Sequence, residues 1–173
     1  MTEDIDKRNL EHLRLLALQN SESDRGLAIT VAAHLETYLE RILRAFLIPD
    51  KATNELFDGP FAPFGSLSGK IKAAHVMGLI TQQEAKRADA VRKVRNVFAH
   101  QLEASFNHEA VQRLCQKPPI DDRRLCDRDA FLHMAMNTAI QLMYRDIAVN
   151  KHLRRTPLSN VERDRLEGRP SAT

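Results

Sequence analysis

The stretch between Ser21 and Pro49 constrains this chain more than any other. Leu27, Val31, Leu35, Leu39, Ile42 and Phe46 recur at three- and four-residue steps, the spacing of one face of an α-helix. Ser21 with Asp24 three residues on resembles a capping box, with the shorter acid standing in for Glu. Pro49 ends the run because it removes a backbone N–H and clashes with the preceding turn. Glu40 and Arg44, one turn apart in the favourable order, lie on another face. A helix with an apolar stripe this wide needs other helices around it, so the expectation is a central core helix in an all-α domain.

Local punctuation supplies the other elements. Ile5 to Leu18 has leucines near helical spacing and reads as a first helix. The segment Asp50 to Gly65 mixes Pro60, Pro63, Gly59 and Gly65 with Phe57, Phe61 and Phe64. Pro and Gly oppose regular structure while the three Phe favour burial, so an ordered loop packed on the body is expected. Ser66 opens a short helix through Leu67, Ile71 and Ala74, which Gly78 ends as a left-handed cap. Thr81 and Glu84 form a full capping box for a helix from Gln82 to about His100. A short helix from Asn107 to Cys115 follows, and Asp127 is placed as the cap of a last helix to about Asn150, with Phe131, Ala135, Ala139, Leu142 and Met143 as its stripe. The expected architecture is a single-domain helical bundle of about five to seven helices: an N-terminal helix in 1–20, the bundle in 21–150 and a tail in 151–173.

Composition agrees with that class. Of 173 residues 43% are hydrophobic, which excludes a disordered chain. Only 5% are aromatic, with no Trp and six Gly, which favours helix packing over a sandwich of short strands. Cys115 and Cys126 are too few for a disulfide framework, so reduced thiols are expected. Met1 to Asp6 is acidic and lacks the apolar core of a signal peptide. The most apolar window, Ala130 to Val149, is interrupted by Asn137, Gln141, Arg145 and Asp146, so no membrane span is expected and the reading is cytoplasmic.

The formal net charge is +3, and all of it falls in the tail. Residues 1–150 carry 20 basic and 20 acidic side chains, whereas 151–173 carry six basic and three acidic ones. With Pro157, Gly168 and Pro170 the tail reads as a frayed end, or as a weak polyanion-binding arm. Within the body the basic run is Lys86 to Arg95, with five Lys or Arg and one Asp. Lys86, Arg87, Arg92 and Lys93 are the candidates for contacts to a nucleic-acid backbone, which give affinity without sequence choice.

Arg95 is where residue and context conflict. It falls on the stripe Ala88, Val91, Arg95, Phe98, the side expected to face the core, where an unpaired charge is very costly. Asn96 and His100, four apart, share a face. Arg95 and His100 are five apart and point about 140° from each other in an ideal helix, so a shared site needs unwinding near Ala99 or a second subunit. Two readings are open. Arg95 holds a phosphate while His100 moves a proton near neutral pH, a pairing suited to metal-free RNA cleavage through the 2′-hydroxyl. Alternatively Arg95 pairs with Glu36 or Glu40, and Asn96 and His100 cap the helix end.

Other constellations are weaker. His108 with Cys115 and Cys126 with His133 are each seven residues apart, about 10 Å of helix rise, so neither pair closes on one zinc. No metal and no cofactor is expected. His34, beside Val31, Leu35 and Tyr38, reads as a core or interface histidine. The helix ending at Gly78 followed by Thr81 to His100 has the turn length of a helix-turn-helix, but Val91, Val94 and Val97 leave no clean base-reading face.

Arg95-Asn96 followed by His100, late in a helix of an all-helical domain, resembles the Arg-x4-6-His motif of the HEPN superfamily. The wider order, a helix from Asp24 to Leu47, then Leu56-Phe57-Asp58-Gly59-Pro60, Phe64 to Ile80, Arg95 to His100 and Ser105-Phe106, resembles the mannitol operon repressor family over roughly Ser21 to Cys115. The resemblance implies a helical bundle, often dimeric, without an evident helix-turn-helix. For HEPN-like chains with both Arg and His it also implies RNA cleavage, as in the toxins of toxin–antitoxin pairs.

Two functions follow as expectations. The first is a non-catalytic regulatory or interaction module in a transcription-regulation context. It works as a homodimer through its helical surface and the Phe57 to Phe64 loop, and binds another protein or a nucleic-acid complex. The second is a metal-independent ribonuclease in which Arg95 holds the scissile phosphate, His100 is general acid or base and Asn96 orients one of them.

Overall fold

The computed structural model describes residues 8, 10, 23–115, 128–157 and 159. The central helix, α1 (Asp24–Phe46), starts at Ser23, whose Oγ accepts the Gly26 amide at 3.1 Å. The cap expected at Ser21 is therefore displaced, and Ser21 itself lies outside the described residues. Asp24, which was to complete that box, instead takes Arg128 at 2.7 Å and ties the start of α1 to the start of α6 (Arg128–Met143). All six stripe residues of α1 are buried.

Short helices frame the next segment. Asp50 caps the one-turn helix α2 (Lys51–Glu55) by accepting the Thr53 amide at 3.0 Å, a turn of regular structure inside the stretch expected to be loop. Ser66 caps α3 (Leu67–Val76), and Gly78 follows it at φ +71°, the left-handed position that a side chain disfavours. The Thr81–Glu84 capping box forms in full and α4 runs Gln82–His100 as expected. α5 (Glu109–Cys115) begins two residues later than expected, with the His108 ring accepting the Ala110 amide.

The expected last helix divides. α6 stops at Met143, Tyr144 takes φ −107° and ψ 1°, and α7 (Arg145–His152) begins. The break serves Arg145, which donates to Glu84 Oε1 at 2.7 Å and to the Leu79 carbonyl at 3.2 Å. The cap placed at Asp127 lies outside the described residues.

No strand occurs among the described residues, and the helices form one bundle. α3, α4, α6 and α7 all pack on α1. Phe98, Phe106 and Phe131 stack in series with ring centroids 5.1 Å apart, joining α4 to α6. No helix among the described residues is long and apolar enough to cross a membrane. Of the expected first helix, Arg8 and Leu10 are described, both helical, and Arg8 forms a two-pronged ion pair with Asp146 at 2.7 and 2.8 Å.

The fraying expected from Lys151 onward does not begin there. α7 continues to His152, the Arg155 amide donates to the Phe46 carbonyl at 2.8 Å, and the Arg155 guanidinium lies 4.8 Å over the Phe46 ring. This crossing segment supplies a partner for a carbonyl at the end of α1 that the helix leaves unbonded. Residues 158 and 160–173 lie outside the described part.

Candidate nucleic-acid interface

α4 buries Glu84, Ala88, Ala90, Val91, Val94 and Phe98 against the bundle. Arg95 stands at the edge of that face and is half-buried, not enclosed. It opens into a cleft of about 430 Å³ between three elements. Glu36 of α1 forms one side, Gly65 to Ser68 at the start of α3 another, and Arg92, Arg95 and Asn96 of α4 the third. Leu67 and Ser68 lie in the first turn of α3, whose amides an α-helix cannot bond internally and where the dipole favours an anion.

The pairing of Arg95 with Glu36 or Glu40 does not occur. Lys70 takes both carboxylates, with Nζ 3.0 Å from Glu36 Oε1 and 3.0 Å from Glu40 Oε2. Arg44 also holds Glu40, at 2.8 Å. Lys70 is buried, so its ammonium had to find acids nearby, and α1 offers these two one turn apart. Burial pushes the Glu40 carboxyl up, but hydrogen bonds from Arg44 and Lys70, and their charges, outweigh it and hold the group below its ordinary value. Burial likewise lowers Lys70, and the bonds and charges of Glu36 and Glu40 reverse this and raise it.

Earlier on α4, Asp89 is taken by Arg92 at 2.8 Å and Lys93 at 2.9 Å. Burial raises the Asp89 carboxyl, and the hydrogen bonds from Lys93 and Arg92 bring it below its ordinary value. Arg95 is left with one neutral contact, Nη1 donating to Asn96 Oδ1 at 3.1 Å, and has no ion pair among the described residues. A half-buried guanidinium beside an open cleft, with its side-chain amide neighbour as sole partner, keeps donors free for an incoming oxyanion.

His100 is elsewhere. α4 stays helical to His100, so the unwinding near Ala99 that would bring it round to Arg95 is absent. His100 is exposed and does not line the cleft. Neither it nor Asn96 caps the helix end. Arg25 of α1 does so, donating to the carbonyls of Phe98, Gln101 and Leu102, the last two at 2.8 Å.

The remaining sequence candidates divide in the same way. Lys86 is exposed and Arg87 half-buried, while Arg92 and Lys93 spend part of their charge on Asp89. Val91 and Val94 are fully buried, so α4 is a core helix and cannot serve as a reading helix. His34 is half-buried with its ring 6.0 Å from that of Tyr38. No three His, Cys, Asp or Glu side chains come together to hold a metal among the described residues; Cys126 lies outside them.

Two contributors escaped the sequence reading. Lys70 had a signal: it stands between Leu67, Ile71 and Ala74 on the apolar side of α3, a charge where the period calls for a core residue. Arg25 had none, because its role depends on where α4 ends in space. Phe61, expected to pack, is 95% exposed, while Phe57 and Phe64 satisfy each other edge to face at 5.5 Å under the Arg44 guanidinium. Comparison of the chain with known protein families, characterised proteins and solved structures finds no match.

Proposed function

We propose that this protein is a regulatory RNA-binding module, in which the Arg95 cleft takes a phosphate of the RNA backbone. The observation that carries the reading is the state of Arg95: half-buried at a cleft of about 430 Å³, beside the first turn of a helix, and without a carboxylate partner among the described residues. A guanidinium so placed recognises phosphate oxygens in pairs. Asn96 orients it. Lys86 and Lys93 lie on the exposed side of α4 and add non-specific attraction for a polyanion. The resemblance to the mannitol operon repressor family, a regulatory context without a DNA-reading helix, fits a module that acts through RNA or an RNA-bound partner.

A second reading is favoured by one feature, the exposure of His100 on the solvent side of α4 with Asn96 one turn before it. In a homodimer of the HEPN kind, His100 of one copy would approach the Arg95 cleft of the other, and the pair would cleave RNA through its own 2′-hydroxyl without a metal. Incubating labelled single-stranded RNA with the purified protein in EDTA separates the two. Binding without cleavage supports the module; cleavage that disappears in His100→Ala supports the ribonuclease. No binding at all refutes both.

A further inference from the structure

Phe61 is the most exposed large apolar side chain among the described residues, at 95%, and it is held there by a stiff loop. Pro60 and Pro63 flank it and restrict the backbone. The Phe64 amide closes the loop onto the Leu56 carbonyl at 2.8 Å, and the Gly65 amide bonds the Ala62 carbonyl at 3.0 Å. Below the tip, Phe57 and Phe64 anchor the loop in the body. The Pro63 carbonyl is pressed so close to α3 that a Cβ on Gly69 would lie 2.3 Å from its oxygen. The loop thus presents an aromatic face to solvent without freedom to fold it away.

The end of this loop is also a wall of the cleft. Gly65 and Ser66 line it, four and five residues after Phe61. Four residues of chain reach at most about 14 Å, so the Phe61 backbone lies within that distance of the Gly65 wall of the cleft, a span that one polynucleotide strand can cover. An aromatic face within a strand's reach of a phosphate-binding guanidinium is how proteins hold single strands, since every unpaired base has a π-face to stack and a base inside a duplex does not.

We propose that Phe61 is a base-stacking platform, which makes the Arg95 cleft selective for single-stranded over double-stranded RNA. The inference rests on the reading of the cleft as an RNA phosphate site.

The test uses the full chain, which has no Trp, so that Phe61→Trp places a single indole reporter at the loop tip. A single-stranded RNA decamer and the matching duplex are titrated against wild type, Phe61→Trp, Phe61→Leu, Phe61→Ala and Arg95→Ala. Quenching of the indole by the single strand is expected. Phe61→Ala is expected to weaken single-strand binding about ten- to a hundred-fold, the usual worth of one stacked base, at unchanged salt dependence and melting temperature. Phe61→Leu should lose most of the same affinity, and the duplex should bind all variants alike. Unquenched indole, or single-strand affinity kept in Phe61→Ala or Phe61→Leu, overturns the stacking role. If Arg95→Ala weakens binding while Phe61→Ala does not, stacking alone falls. If wild type binds neither RNA, the cleft reading falls and stacking with it.

Discussion

Lys70 Nζ stands 3.0 Å from Glu36 Oε1, while Arg95 has no carboxylate partner among the described residues. Glu36 lines the same cleft as Arg95. The Lys70 ammonium offsets the Glu36 charge beside that cleft.

Replacing Lys70 by Met should therefore have two effects. It strands Glu36, leaves Glu40 with Arg44 alone and lowers stability by about 2–3 kcal/mol, below the ~3–5 of a fully buried pair because both carboxylates keep contact with water. It also frees Glu36 to pair with Arg95 and weakens RNA binding. The double variant Lys70→Met with Glu36→Gln should regain RNA affinity. Urea melts and RNA titrations of the three proteins check both parts; an affinity that stays low in the double variant would show that Lys70 does not act through Glu36.

Gly69→Ala tests the seat of the Phe61 loop. A Cβ 2.3 Å from the Pro63 carbonyl oxygen cannot be accommodated without moving backbone, so a loss of about 1–3 kcal/mol is expected despite the better helix propensity of Ala. Thermal unfolding reads it, and an unchanged or higher melting temperature would mean that the loop yields freely.

Stability should depend on pH at both ends of the scale. Glu40, Glu84 and Asp89 have folded pKa values below their ordinary ones, so each binds its proton more weakly when folded. For Glu84, burial opposes the shift, and the Thr81 hydrogen bonds and Arg145 outweigh it. Their contribution is complete above the unfolded carboxylate range near pH ~4 and is lost as pH falls through the folded values. Lys70 is raised, so its contribution is complete below about pH 10 and is lost only as pH climbs past its folded value. Urea midpoints from pH 3 to 11 should show a plateau with an acid limb that Glu84→Gln makes shallower. A flat acid limb would contradict the shifts.

The helical frame was legible in sequence because it is set by local chemistry. The stripe from Leu27 to Phe46, the Thr81–Glu84 box and the Gly78 cap each carry their own signal within a few residues, and α3 and α4 lie where those signals place them. Errors came where tertiary contacts decide. The division of α6 from α7 at Tyr144 depends on Arg145 reaching Glu84, sixty-one residues away in the chain. Phe61 has the type of a core residue, but Phe57 and Phe64 pair with each other while Phe61 stays exposed. Arg95 and Asn96, singled out by their place in the helix, line one cleft. That Lys70 holds the acids expected for Arg95, and that Arg25 binds the carbonyls at the end of a helix that stays regular through His100, are facts of packing between α1, α3 and α4.

The most direct test of the phosphate role of Arg95 is the salt dependence of RNA binding. Fluorescence anisotropy of a labelled single-stranded RNA is titrated with wild type and Arg95→Ala at a series of salt concentrations. The account predicts weaker binding by the variant at every concentration and a log–log salt slope shallower by about 0.7, the release expected for one single-strand phosphate contact, with an unchanged melting temperature. Equal affinities and equal slopes for the two proteins would contradict it.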